Sequence, residues 1–223
     1  AEYTEMAIVM NDTGYGHDGE RLHAPIVRLQ EMPELLRPAQ DGGLLRREKV
    51  IDVVNCLRRD DEAGMGGGVF VVVRCHDRDS WELLRRKGHL LSRDGDYAAL
   101  YMPYHLLGVE TATSIFSAAV LGLPTGGLDT RPVTEVGIRA TANLRAGQRL
   151  VMDRDHAIPG ATPVFTPPVP VAPDAPVPFY MAAGATLAAD VEAGTLLTYR
   201  MIEEPAGSVL WAMKREQDRL FLA

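Results

Sequence analysis

The chain has 223 residues, is 46% hydrophobic and carries a formal net charge of -7, so it can bury a sizeable core in one or two domains. The acidic balance, with no Lys/Arg cluster standing clear of acidic neighbours, argues against a nucleic-acid-binding surface. Cys56 and Cys75 are too few and too far apart for a disulfide framework or a zinc site, and no run of about 18 apolar residues offers a membrane span.

In the opening AEYTEMAIVMNDTGY, Tyr3, Met6, Ala7 and Met10 fall at helical spacing. No capping residue precedes them, so the helix reads as though cut in the middle. No charged-then-apolar leader comes first, which sets a cytoplasmic expectation. Residues 11–25, rich in Gly and Asp, read as a long, mobile, polar loop. Its His17, His23, Asp12 and Asp18 lack a regular metal-ligand spacing.

LQEMPELLRPAQDGGLL predicts short helical turns broken at Pro33 and Pro38. REKVIDVVNCLRR (47–59) predicts a helix with Val50, Val53, Val54 and Leu57 on one face. GMGGG (64–68) invites comparison with a dinucleotide-binding loop, but that loop needs a strand before the glycines and a helix after. Here the β-branched run VFVVV follows, so the glycines serve a turn into a buried strand, with Cys75 a buried thiol at its end. The basic runs at 46–49 and 83–89 read as solvated helix faces.

SWELLRRKGH (80–89) predicts a helix ended by Gly88. DGDYAALYMPYHL (94–106) predicts a strand entering a Pro-broken turn. VETATSIFSAAVLG (109–122) predicts an apolar helix closed by Gly122 and Pro124, buried in a core or a subunit interface. That helix sets the expectation of a two-fold homodimer.

From Val133 the segments become short and Pro-punctuated, as in a small all-β module. The proline-dense stretch 164–179 reads as an extended arm. Within the module ANLRAGQRL (142–150) recurs as ADVEAGTLL (189–197), each copy bending at Ala-Gly, where Gly147 or Gly194 can take positive φ. The repeat predicts a pseudo-symmetric β-fold.

The repeat, with Ala189 to Gly194 and less fully Ala142 to Gly147, resembles the SAF family, a small β-clip module. The blocks Glu5-Met6-Ala7, Asn11, Thr13-Gly14, PELLRPAQDGGLLRRE, GGVFVVV and Tyr101 to Leu106 resemble homoserine-dehydrogenase-like oxidoreductases with a C-terminal SAF module. One branch holds the reductoisomerase-like enzymes that convert 1-deoxy-D-xylulose 5-phosphate to 2-C-methylerythritol 4-phosphate, in isoprenoid biosynthesis.

The resemblance implies an α+β fold. A partial α/β substrate and dimerisation domain (1–132) would be followed by a small all-β SAF domain (133–223). It also implies NADPH held by an N-terminal Rossmann domain. That domain, and a catalytic lysine just before the Glu-Met-Ala block, are not in this sequence, which corresponds to the C-terminal half of a family member. The Rossmann domain would act in cis or in trans, and Mg or Mn is a further implied cofactor. This chain would bind no metal of its own, would contact neither nucleic acid nor membrane, and would act on a small-molecule substrate. Alone it would be inactive.

Glu5 and His105 are then the candidate catalytic residues, with Asn11, Tyr101 and Tyr104 on the substrate. A histidine beside two phenols suits acid–base or phosphate-binding work. On the residues alone, Glu5 also reads as an exposed helix carboxylate, and the Tyr-His cluster as a hydrogen-bonded strand end. The family places Arg where this chain has Met102, and Met cannot grip a phosphate or carboxylate bidentately. The alternative reading is a non-catalytic binding or assembly protein that keeps the dimerisation core and the SAF module.

Overall fold

The computed structural model describes residues 2–62 and 64–222. It divides into two compact units: Leu22–Leu128, and the residues up to Arg21 together with Asp129 onward. The sequence places a boundary after residue 132; by contacts, the opening helix joins the C-terminal unit.

In the 22–128 unit, β1 (Ile26–Val27) pairs in parallel with β2 (Asn55–Cys56). The Pro-broken segment forms a 3-10 turn (Leu29–Glu31), α2 (Met32–Leu35) and a second 3-10 turn (Ala39–Asp41), as its prolines predict. A three-stranded antiparallel sheet has the order β3 (Val69–Arg74), β5 (Tyr97–Met102), β4 (Leu90–Leu91). Its core gathers Val27, Leu29, Met32, Leu36, Met65 and Ala99, with Phe70 and Val72 packed against them.

α3 (Arg78–Arg86) is capped by Asp77, whose carboxylate accepts from the Asp79 N–H and the Ser80 hydroxyl. The helix ends before Gly88, which takes φ +87°. α4 (Leu107–Phe116) runs on through a π turn (Ser117–Leu121) to Gly122 at φ +65°.

Two expectations fail here, the helix at 47–59 and the buried strand with its buried thiol. Residues 47–59 contain no helix: the segment runs extended into β2. The Asp52 carboxylate explains this, because it accepts the N–H groups of His23, Ala24 and Val53, so the chain is strapped to residues 23–25 rather than coiled on itself. The same contacts, with Asn55 Nδ2 donating to Ala24 O at 2.9 Å, fasten the end of the stretch expected to be a mobile loop. VFVVV is a half-exposed strand rather than a buried one, and Cys75 is only partly buried. The apolar helix α4 buries no residue within the chain.

The other unit is built on β6 (Glu135–Ala140) antiparallel to β7 (Ala161–Thr166). α1 (Glu2–Thr13) packs on both strands, with Met10 fully buried and Tyr3 tilted on Phe165 at 4.9 Å between ring centroids. The core comprises Ile138, Leu150, Val164, Phe165, Val177, Leu187 and Leu197.

The two repeat copies face each other. Asn143 accepts the Ala193 N–H at 2.9 Å, and Asp190, its equivalent, accepts the Ala146 N–H at 2.8 Å. Gly147 N–H bonds Leu187 O, and Gly194 N–H bonds Ala140 O. Leu150 N–H bonds Ala185 O, and Leu197 N–H bonds Ile138 O. Each pair repeats the other after one fixed shift along the chain, which makes the pseudo-two-fold explicit. Gly147 and Gly194 adopt φ +78° and +90°, as the bend requires.

The stretch after β7 is extended up to α5 (Phe179–Ala182), and the unit closes with α6 (Val209–Phe221), a helix outside the all-β expectation.

Candidate active site

The expected site residues fall in both units. Glu5 and Asn11 stand on α1, in the unit that holds the repeat; Tyr101, Tyr104 and His105 lie at the end of β5, in the unit of residues 22–128.

Glu5 is exposed on α1. Asn11 closes a chain junction: its Oδ1 accepts the N–H groups of Val133 at 2.8 Å and Thr134 at 3.0 Å, and its backbone carbonyl accepts that of Arg131. Its amide oxygen is thereby engaged by the start of the β-module.

At the end of β5 the register separates neighbours. Tyr101 pairs with Phe70 on the core-side face of the sheet, and Met102 with Val69 on the outer face. Tyr101 lines a shallow cleft with His89, Leu90, Ala99 and Pro103. Met102, where the resemblance calls for Arg, belongs to the opposite, apolar face.

His105 is set by the glycine turn. Its Nδ1 lies against the carbonyl oxygen of Gly67. A carbonyl can only accept, so Nδ1 is the ring nitrogen that donates there. The turn is glycine because the backbone comes so close. A Cβ on Gly68 would lie 2.4 Å from Met102 O and 2.8 Å from the Pro103 carbonyl carbon. A Cβ on Gly67, at φ +73°, would lie 3.3 Å from the His105 ring. Gly67 and Gly68 therefore seat the Met102–His105 turn.

A second cluster carries no local signal in the sequence. Tyr97 donates its hydroxyl to Asp41 at 2.6 Å, and the guanidinium carbons of Arg37 and Arg74 lie 5.5 and 5.7 Å from its ring centre. Burial and the Asp41 hydrogen bond push the Tyr97 hydroxyl up to about 12, so it stays a donor at neutral pH. Arg37 also holds Asp94 at 2.5 Å and Glu34 at 3.2 Å. Arg37 and Asp41 both come from RPAQDGG, which quoted as a block gives no sign of their meeting on Tyr97.

His23 Nδ1 lies 2.6 Å from Asp52 Oδ2. Among the described residues, no group of three or more His, Cys, Asp or Glu is placed to hold a metal ion, so no step through Mg or Mn is derived. Among them, too, no helix is long and apolar enough to cross a membrane.

Residues 2–111 match the family described as oxidoreductase DRL, catalytic domain. The match covers just under half of the chain and supports an oxidoreductase catalytic domain in that segment. No curated protein matches the chain.

Proposed function

We propose that this chain is the C-terminal portion of an NAD(P)H-dependent oxidoreductase of the homoserine-dehydrogenase-like type, acting on a small phosphosugar as a reductoisomerase. The observation that carries the reading is the match of residues 2–111 to an oxidoreductase catalytic domain. Gly67 and Gly68 pack against the turn that carries His105, so the reading assigns the nicotinamide to a Rossmann domain in cis or in trans. When bound, that cofactor supplies the hydride.

This chain's own part is to hold the substrate and move a proton. Tyr101 is positioned at the cleft. His105, with Nδ1–H turned to Gly67, exchanges protons only through Nε2. Tyr104, Glu5 and Asn11 keep the roles the resemblance implies. For Asn11 the role is shared with its contacts to the backbone of Val133 and Thr134 in the same unit. Met102 offers no charge for a phosphate, so the reading draws phosphate binding from elsewhere in the enzyme.

The β-module is proposed to be an SAF domain, supported by the paired repeats at 142–150 and 189–197. A cytoplasmic location belongs to the same proposal.

The test uses the full gene product with NADPH, Mg or Mn, and 1-deoxy-D-xylulose 5-phosphate. Substrate-dependent loss of the reduced nicotinamide's absorbance supports the reading. No saturable NADPH binding by that full product overturns it and favours the non-catalytic assembly protein, a reading that Met102 motivates.

A further inference from the structure

Asp52 does more in the 22–128 unit than strap its own segment to residues 23–25. Its side chain is 5% exposed. Oδ1 alone accepts the N–H groups of His23 at 3.1 Å, Ala24 at 3.2 Å and Val53 at 2.8 Å. Oδ2 lies 3.2 Å from the His23 N–H, so the carboxylate is satisfied by backbone on both oxygens. The His23 ring nevertheless adds its Nδ1 to Oδ2 at 2.6 Å, the shortest of these contacts. Backbone N–H groups can only donate, so this carboxylate is an acceptor on every side and Nδ1 donates to it.

The strap does not need an imidazole. What the extra bond fixes is the rotation of the ring and the nitrogen that faces Asp52. The ring is 26% exposed, so a nearly buried carboxylate orients a side chain that reaches the surface. The backbone beside it is held in a rare conformation. Ala24 has φ +45°, kept there by Asp52 on its N–H and by Asn55 Nδ2 on its carbonyl. His105 and His156 have neutral partners instead, the Gly67 carbonyl and the Tyr180 hydroxyl. Both His23 and Asp52 lie in the segment that matches an oxidoreductase catalytic domain.

We propose that His23 and Asp52 form an acid–base dyad, in which His23 passes a proton to the oxygen of a small carbonyl substrate and Asp52 is the positioning residue. The inference rests on the oxidoreductase reading above and adds a proton-transfer residue to it. With Nδ1 committed to Asp52, proton exchange with the substrate falls to Nε2. In reduction the His23 imidazolium gives its Nε2 proton to the carbonyl oxygen as hydride from the reduced nicotinamide adds to the carbon. The C=O π bond breaks, one O–H and one C–H bond form, and a neutral imidazole is left. Asp52 remains a carboxylate throughout. In alcohol oxidation the same proton returns to Nε2.

Two substitutions separate this chemistry from the strap. His23→Asn keeps a donor where Nδ1 stood and removes Nε2. Asp52→Asn keeps Oδ1 for the three N–H groups and turns an amide N–H toward the ring, which drives the ring proton to Nε2. The full gene product is assayed with NADPH and 1-deoxy-D-xylulose 5-phosphate. His23→Asn should lower kcat by roughly 10²–10⁴-fold, with little change in KM or circular dichroism, and Asp52→Asn should also lower kcat. Nitrogen NMR of histidine-labelled protein gives a readout without turnover, the signals lost in His23→Asn identifying the ring. The neutral ring should carry its proton on Nδ1 in wild type and on Nε2 in Asp52→Asn. A neutral wild-type ring with its proton on Nε2, or turnover retained in His23→Asn, overturns the dyad alone. A wild-type product without turnover overturns the oxidoreductase reading and the dyad with it.

Discussion

His105 sits against Gly67, its ring nitrogen on the glycine's carbonyl oxygen, because Gly67 leaves room for the ring and Gly68 lets the turn come close to the backbone of Met102 and Pro103. The glycines thus connect a feature of the sequence to the orientation of a candidate catalytic side chain. Gly68→Ala places a methyl 2.4 Å from Met102 O, which backbone must yield to. The expected outcome is a destabilisation of about 2–4 kcal/mol, within the range of overpacking and backbone strain, and a displaced 103–105 turn. His105→Ala, at an exposed side chain, should leave stability within about 0.5 kcal/mol. If it is the acid–base group, it should lower turnover of the active full-length enzyme by roughly 10²–10⁴-fold. Urea unfolding of both variants beside initial-rate assays separates the two effects; unchanged turnover in His105→Ala removes it from the chemistry.

The paired repeat makes a different prediction. Leu144 and Val191 exchange both backbone hydrogen bonds, at 2.8 and 3.0 Å, and each side chain is only 3% exposed. Leu144→Ala should therefore cost about 2–5 kcal/mol. Asn143→Ala, which frees one backbone N–H at the bend, should cost about 0.5–1.5 kcal/mol. The two residues are adjacent, so the double variant should depart from additivity. Denaturant midpoints of the two single variants and the double variant check this, and strict additivity would count against the bend acting as one unit.

How much of this was legible in the sequence depends on where the deciding interactions lie. α3, β5, α4 and the positive-φ bends at Gly147 and Gly194 follow from local chemistry: spacing, a cap, a stopping glycine. The false helix at 47–59 fails for a long-range reason. Val50, Val53, Val54 and Leu57 do have helical spacing, but Asp52 is claimed by backbone groups at residues 23 and 24, and periodicity carries no sign of that. Asn11 reads as a site residue from a short block, and its partners at Val133 and Thr134 lie far along the chain. The Tyr97 cluster is hidden similarly, since Arg37, Asp41, Arg74 and Asp94 converge only once the sheet is formed. The exposed faces of VFVVV and α4 are the reverse case. The sequence calls for burial that the single chain does not supply.

Asp94 gives the 22–128 unit an acid sensitivity. The Ser92 hydroxyl at 2.6 Å, the Asp96 N–H and Arg37 hold its pKa down to about 2, from 3.8, against the opposing effect of partial burial. A depressed carboxylate pKa contributes stability that is complete above the ordinary value and is lost as pH falls through the depressed one. Stability should thus drop between about pH 4 and pH 2. Because the side chain is 44% exposed, screening leaves about 1–2 kcal/mol of this effect. Asp94→Asn should be less stable at neutral pH and should lose that part of the acid slope. Unfolding followed at pH steps through this range decides it; a slope equal to wild type's would assign the acid transition to other groups.

The C-terminal unit should respond with the opposite sign, through the contact that docks α6. Lys214, 6% exposed, lies 2.9 Å from Glu135 on β6 and 2.6 Å from Asp218 one turn further along α6. Asp218 also accepts the Val171 N–H at 2.9 Å, tying in the extended arm. One ammonium serves two carboxylates, so a negative charge is left over in a largely dry site. Burial raises the Glu135 pKa, and Asp218 adds to it, while Lys214 only partly offsets them. A raised carboxylate pKa means that the folded state holds its proton longer than the unfolded state does. Stability therefore falls as pH rises from the ordinary value of 4.5 through the raised one. Glu135→Gln should abolish this decline while leaving the Lys214–Asp218 pair intact. Lys214→Met, which strands both carboxylates, should cost about 3–5 kcal/mol at neutral pH and should recover part of that loss as the pH is lowered and a carboxylate is protonated. Denaturant unfolding of the three proteins across the carboxylate range, read by the fluorescence of Trp211 on α6, provides the measurement. If Glu135→Gln declines with pH as steeply as wild type, the surplus proton is not held at Glu135.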